Sequence, residues 1–322
     1  MKVGGIGSVA THPDHRGQGH CQQILNRQTE WMEQQGYDLS LLFAVITPFY
    51  EKLGWKVVPE SVYEVNTDSI PSDFHYNYQI VPFNSSYLDN MASIYELFNE
   101  GRTYTVIRSP AWWVDQLQWP RWQTSTCLLA VKNGAVTAYG YLSEIREGII
   151  YLEELCYLEG HEDAVMPLFH SLLKQRPEAS RVQAKLPYDH KLLEAFTTWG
   201  AEKKMISYAM WKIIRFQPLL AKLTSIFQKR LRNSKELAAT SIQLCLECAE
   251  QQAYVHYSDG QVDIESHARK GMLYSHLVVT QEDFISMLFQ GIDASSNKEL
   301  QIDVLQALFP KQNSIFYLTD KF

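Results

Sequence analysis

The sequence predicts a mixed α/β and α+β protein of several units, and three observations carry that expectation. A strand, loop, helix and strand succeed one another over the first 65 residues. The same layout returns between Leu152 and Ile213, and after Pro218 it gives way to short alternating strands followed by helices. At 322 residues the chain exceeds one ordinary domain, so two or three compact units are expected, divided at 1–66, 67–216 and 217–322.

The first unit reads as a strand over 5–11, a helix over 17–35 and a strand over 39–45, then a short helix and a strand over 56–65. Ile24, Leu25, Trp31 and Met32 recur at helical spacing, and Gly36 supplies the stop. Leu39-Ser40-Leu41-Leu42-Phe43 is apolar on both faces, as a covered central strand should be. Turn formers around Pro71-Ser72-Asp73 and Pro82 mark the boundary to the second unit.

In that second unit Asn133-Gly134 marks a hairpin, because both residues accept the positive φ of a tight turn. Strands over 139–145 and 149–157 lead to a helix over 162–174, a strand over 181–186, a helix over 192–198, Gly200, and a strand over 204–213. The third unit opens on a basic helix (Lys222, Lys229, Arg230, Arg232) and continues in strands over 242–248, 253–257 and 261–266, with Asp259-Gly260 as a turn. Thr280-Gln281-Glu282-Asp283 reads as a helix start with Gly291 as its stop, and residues 314–318 close the chain as a strand.

Composition narrows the function. With 46% hydrophobic and 20% charged residues the chain is of globular type, and no apolar run is long enough for a membrane span. Met1-Lys2-Val3-Gly4-Gly5 enters a strand-like segment rather than a secretory signal, so a cytoplasmic location is expected. The formal net charge of −7 argues against nucleic acid as partner and leans towards a cationic ligand. Five scattered cysteines argue against a disulfide framework. Cys245 and Cys248 lie in a strand with no second ligand pair, so no metal is expected there.

The chemistry concentrates in Arg16-Gly17-Gln18-Gly19 at the opening of the first helix. The first amides of a helix have no acceptors within it and together form an anion site. Gly17 and Gly19 let the backbone approach a diphosphate, and Arg16 adds a full positive charge. Gly5, Gly7 and Ala10 match a dinucleotide fingerprint only in spacing, because they fall within the strand rather than after it. His12, His15 and His20 lack a carboxylate or thiolate constellation beyond Asp14 and Cys21, and read as solvent-facing loop residues.

The stretch from Val9 to Cys21 resembles the acetyl-CoA loop of the GNAT acetyltransferase superfamily, departing from it only at Cys21, where the motif has Gly or Ala. Phe49-Tyr50-Glu51-Lys52-Leu53-Gly54-Trp55 is similar to a second segment of that family. The resemblance implies that Val9, Ala10 and Thr11 orient the acetyl carbonyl, that amides from Arg16, Gly17, Gln18, Gly19, His20 and Cys21 hold the pyrophosphate, and that Tyr50 protonates the departing thiolate. A phenol with pKa of about 10 suits that task beside a thiol of about 8.5.

The middle unit repeats this layout with Glu159, Glu162 and Asp163 in place of the loop and Phe196 in place of Tyr50, so it reads as a non-catalytic copy. Two such units before an α+β module resemble the Eis (enhanced intracellular survival) family, whose last domain is similar to a sterol carrier protein. The resemblance implies that the terminal carboxylate of Phe322 helps deprotonate the acceptor amine.

The family's fold has further strands and helices before the first strand. The chain is expected to lack them, either because Met1 is an internal start or because the product is truncated, and an uncovered strand edge results.

The resulting expectation is an acetyl-CoA-dependent N-acetyltransferase, a homo-oligomer that acts on a primary amine of polyamine or aminoglycoside type by direct attack. The alternatives are an impaired chain that binds an apolar ligand in its last domain, and a regulatory enzyme that acetylates protein lysines.

Overall fold

The computed structural model describes residues 1–72, 77–118, 127–292 and 300–321. In chain order its elements are β1 Val3–Ile6, α1 His20–Gln34, β2 Leu39–Phe43, α2 Thr47–Glu51, β3 Lys56–Val57, β4 Glu60–Asn66, β5 Gln79–Pro82, α3 Leu88–Phe98, α4 Pro110–Gln116, β6 Cys127–Lys132, β7 Ala135–Leu142, β8 Ile149–Tyr157 and α5 Val165–Lys174. They continue as β9 Arg181–Ala184, α6 Lys191–Thr198, β10 Glu202–Ile206, β11 Ala209–Ile213, α7 Phe216–Ala221, α8 Thr224–Asn233, β12 Ile242–Cys248, β13 Gln251–Ser258, β14 Gln261–Glu265, β15 Ser275–Val278, α9 Gln281–Gln290 and α10 Leu300–Leu308. Residues 1–60 and 207–312 form one compact unit, and residues 61–206 and 313–321 a second.

In the first unit one mixed sheet has the order β1-β2-β11-β3. β1 and β2 run parallel, as the crossover through α1 requires, with Gly4 opposite Ser40. Leu25 and Met32 of α1 pack with Ile6, Leu42, Trp55, Met210 and Ile214. Met32 lies so close that a Cβ on Gly4 would sit 2.6 Å from its Cε, so a larger residue there would require the Met32 side chain to shift. At the sheet's end the fully buried Asp38 accepts from the Lys2 amide at 2.7 Å and pairs with Lys222 at 2.5 Å and Arg215 at 3.3 Å.

The second sheet of this unit has the order β14-β13-β12-β15. Phe216 and Phe284 (4.9 Å between rings) and Phe227 and Phe309 (5.2 Å) fill the space between it and helices α7 to α10. The turn at Asp259 and Gly260 has the positive φ values expected, and Thr280 caps α9 by accepting from the Asp283 amide at 3.1 Å. Gln281 ties α9 to the first sheet: its side chain accepts from Ile213 N at 3.0 Å and donates to the carbonyls of Trp211 and Gly54, both at 2.9 Å. Cys245 and Cys248, three apart on β12, point to opposite faces, and the described residues contain no metal-binding cluster.

The second unit is a seven-stranded sheet of order β10-β4-β9-β8-β7-β6-β5. β8 and β9 are parallel and joined through α5, whereas β5 to β8 run antiparallel. The β6–β7 hairpin turns at Asn133 and Gly134 with φ of 53° and 82°.

The Arg108 side chain lies fully buried in this unit. Its guanidinium pairs with Glu154 at 2.6 Å and with Asp320 at 2.9 Å, and stacks 3.7 Å from the Tyr95 ring. Thr319 and Tyr139 both donate to Glu154. Burial alone would push the Arg108 pKa down, but the two carboxylates overcome it and hold the guanidinium charged.

Four sequence expectations are corrected. The first strand covers Val3–Ile6 rather than 5–11, because Ser8 adopts φ +54° and leaves the extended region. The strand expected over 56–65 is two strands in different sheets, β3 and β4, and that over 204–213 likewise divides into β10 and β11. β11 is buried at four of its five positions, as a central strand must be, whereas β10 is an alternately exposed edge. Residues 314–318 make only a single bridge, Thr103 with Ser314, and then a turn at 318–320 that brings Thr319 and Asp320 to Arg108.

Candidate functional site

The loop between β1 and α1 is built as an open helix start. Gly19 caps α1 in the left-handed conformation (φ +78°) without any side-chain cap. The first ladder bond runs from Gln23 N to Gly19 O at 3.0 Å, so the amides of His20, Cys21 and Gln22 have no helical acceptor. Gly17 also has positive φ (+76°), and open space lies where either glycine would carry a Cβ. Local bonds shape the loop: Arg16 Nε donates to Thr11 O at 3.3 Å, Gln18 Nε2 to Asp14 O at 3.3 Å, and Gln18 Oε1 meets His20 Nε2 at 3.1 Å.

Beside this loop a groove of about 620 Å³ runs between residues 5–12 and the start of α1, a size typical of small-molecule sites. Of the expected cofactor residues, Val9, Ala10, Thr11, His20 and Cys21 line it, whereas Arg16, Gly17, Gln18 and Gly19 lie off its wall. His12 and His15 line it too, and both stay exposed to solvent as loop residues are expected to be. A short turn across Pro13 sets their rings 5.9 Å apart and tilted at 50° to each other.

Tyr50 sits on α2, off the groove wall, half-buried with its ring 5.1 Å from that of Phe49. It packs on the same core as Cys21. Burial, and then the neighbouring Cys21, push its pKa up, which keeps the phenol protonated. Its carbonyl accepts from Leu53 N at 3.0 Å and Trp55 N at 3.1 Å, closing a turn in which Gly54 has φ +89°.

Sequence reasoning missed Lys212, which β11 brings under this turn. Its ammonium donates to Leu53 O at 2.7 Å and lies 4.5 Å from the Trp55 ring, and burial lowers its pKa. Nothing near residue 50 in sequence signals a partner on a strand that arrives so much later in the chain. The other residue expected to be catalytic, Phe322, lies outside the described residues.

Residues 1–58 match the family model described as Acetyltransferase (GNAT) domain. No curated protein matches the sequence. Among solved structures, a conserved Enterococcus faecalis protein of unknown function described as a probable N-acyltransferase superposes with TM-score 0.71 at 17% identity, over 99% of this chain and 81% of the other. A GCN5-related N-acetyltransferase of Kribbella flavida gives 0.67 at 13%, over 99% and 79%. Eis1 of Mycobacterium abscessus gives 0.61 at 14%, over 99% and 82%. The chain has the GNAT acetyltransferase fold, and the match of its first segment together with that fold supports a transferase of the acyl-transfer class.

Proposed function

We propose that this chain is an Eis-like N-acetyltransferase that moves acetyl from acetyl-CoA to a primary amine by direct attack. The observation that carries the reading is the uncapped, glycine-opened start of α1, whose free amides stand beside a groove in the segment that matches the GNAT model. Those amides and Arg16 are suited to a diphosphate, because anions gather where helix donors and the helix dipole point outward. The backbone of Val9, Ala10 and Thr11 would align the thioester carbonyl, and holding both reactants in place is itself a large part of such catalysis.

The amine attacks the carbonyl carbon, the tetrahedral species collapses, and the departing thiolate takes a proton from Tyr50. The Phe322 carboxylate is the proposed acceptor of the amine's proton. The acidic chain suits polyamine-like or aminoglycoside-like acceptors.

In this reading residues 1–66 carry the cofactor half, 67–216 a degenerate copy, and 217–322 a sterol-carrier-like scaffold, in a cytoplasmic homo-oligomer. The phenylalanine-filled interior under the second sheet favours a scaffold over an apolar-ligand carrier.

Thermal unfolding with acetyl-CoA tests the proposal. A ligand at a hundred times its Kd stabilises by about 2.7 kcal/mol, so Tm should rise by several degrees. Gly19→Val, which forces a branched side chain into the left-handed region, should remove most of that rise. A wild-type chain whose Tm ignores acetyl-CoA, and which gives no heat with it in calorimetry, would end the reading.

A further inference from the structure

β11 carries one lysine in an apolar run, Ala209-Met210-Trp211-Lys212-Ile213, and alternation along the strand puts Lys212 on the same face as Met210. Met210 and Ile214 pack with Leu25 and Met32 of α1 and with Trp55. A buried cation is ordinarily answered by carboxylates, as Arg108 is by Glu154 and Asp320. The half-buried Lys212 pairs with no carboxylate among the described residues, and burial lowers its pKa. A charge kept there at a cost is explained by what it does hold. Its ammonium donates to Leu53 O at 2.7 Å, reaches Thr29 Oγ1 on α1 at 3.4 Å, and lies 4.5 Å from the centre of the Trp55 ring.

We infer that Lys212 is a positioning residue for acetyl transfer, which holds the turn carrying Tyr50 against the body of α1 and so sets where the phenol stands relative to the departing thiolate. This rests on the reading of Tyr50 as the acid of an acetyltransferase.

Lys212 does not line the groove, so it acts through Tyr50 and not on the reactants. The turn is fixed at each of its carbonyls. Tyr50 O accepts from Leu53 N and Trp55 N, Gly54 O accepts from Gln281 Nε2 at 2.9 Å, and Leu53 O is left to Lys212. The missing side chain at Gly54 makes room for the lysine stem, since a Cβ there would sit 3.2 Å from Lys212 Cε. Trp55, wholly buried, joins the same turn to the strand that enters the cofactor loop: its Nε1 donates to Ser40 Oγ at 3.2 Å, and Ser40 Oγ donates to Gly4 O at 3.0 Å. Lys212 therefore supplies the tie between this turn and α1, the helix whose open amides begin the proposed diphosphate site.

The test reads rate and stability together. Replacing a buried charge by an apolar residue of like length is often neutral or stabilising, so Lys212→Met should keep Tm within about a degree of wild type or raise it. Its kcat, followed as thiol release from acetyl-CoA with spermidine or kanamycin as acceptor, should nevertheless fall about tenfold, with KM for acetyl-CoA changed less than about twofold, because a misplaced acid costs rate rather than binding. In a Tyr50→Phe chain the same change should cost little more, since the phenol through which it acts is gone. Thr29→Val, which removes the α1 arm alone, should show the same split at smaller size, so the test survives if Lys212→Met folds poorly. Hydrogen exchange gives a readout that needs no acceptor: the amides of Leu53, Gly54 and Trp55 should exchange faster in Lys212→Met, with those of the second unit unchanged. A wild-type kcat in Lys212→Met, a loss that multiplies with that of Tyr50→Phe, or unaltered exchange in the turn overturns the inference and leaves the acetyltransferase reading intact. A wild-type chain that neither binds acetyl-CoA nor releases thiol overturns that reading, and the positioning role falls with it even where faster exchange shows that Lys212 holds the turn.

Discussion

The starts of α1 and α5 share a layout and differ in what satisfies them. Both helices cross between parallel strands, both follow a loop with a glycine at positive φ (Gly19, Gly160), and both are followed by a short helix and a second such glycine (Gly54, Gly200). The match extends to single hydrogen bonds: Tyr50 O accepts from Trp55 N at 3.1 Å, and Phe196 O accepts from Ala201 N at 2.9 Å.

At α5, however, the protein supplies its own anions. Glu162 Oε1 accepts from Gly160 N at 3.1 Å, while Asp163 accepts from Tyr78 and lies 3.3 Å from Lys132. Donors left open mark a place for a ligand, whereas donors met from within mark a piece of structure.

Arg108 is the extreme of that second kind, and removing it should have the largest effect. Arg108→Leu strands Glu154 and Asp320 in an interior where neither is exposed, and breaking such a pair typically costs about 3–5 kcal/mol. The urea midpoint should fall accordingly, and replacing Glu154 and Asp320 by apolar residues in the same chain should restore much of it. Arg108→Lys should rescue little, because an ammonium cannot reproduce the fork that meets Glu154 Oε1 and Oε2 together. A midpoint unmoved in Arg108→Leu would show that the second unit does not depend on internal charge satisfaction.

The next comparison exchanges the aromatic pair. Tyr50→Phe should lower kcat by about 10²-fold or more with little change in KM for acetyl-CoA, since general acid catalysis is worth at least that much. Phe196→Tyr, at the matching turn, should leave the rate unchanged. It should cost stability instead, because Phe196 is wholly buried against Phe169 and Trp199 and a hydroxyl there has no evident partner. Equal rate effects from the two changes would undo the assignment of one helix start as open and the other as closed.

Much of this contrast was legible in the sequence, for a physical reason. Glycines at forced positive φ, the Asn133-Gly134 and Asp259-Gly260 turns and the Thr280 cap act through neighbours one to four residues away, and each appears where its local chemistry demands. The substitution of carboxylates for the glycine-arginine loop, and of Phe196 for Tyr50, could also be read by aligning the two layouts.

What stayed hidden depends on distant partners. Pro59-Glu60-Ser61 and Ser207-Tyr208 interrupt residues 56–65 and 204–213, but a short break reads equally as a bend within one strand, and only distant partners show that each stretch serves two sheets. Arg108 follows an almost fully exposed Ile107, and its carboxylates lie 46 and 212 residues away. Five of the expected cofactor residues line the groove, but its full wall combines a strand, a turn and one helix face that only the fold brings together.

The smallest effect belongs to Asp163, whose carboxylate meets Tyr78 and Lys132 beside the second helix start. The Tyr78 hydroxyl, and then Lys132, hold its carboxyl below the ordinary value, against the opposing pull of burial. A carboxylate lowered in the folded state adds stability above its unfolded pKa of about 3.9, and that contribution is lost as pH falls through the folded value. Because more than half of the side chain is exposed, solvent screening limits the contribution to under about 1 kcal/mol. Asp163→Asn should therefore lower Tm by a degree or two at pH 7 and flatten the acid side of the Tm profile below about pH 4, while acetyl-CoA binding stays as it was. If the variant instead gained a second acetyl-CoA site, the α5 start would be a masked cofactor loop held shut by one carboxylate, and the difference between the two helix starts would come down to that single charge.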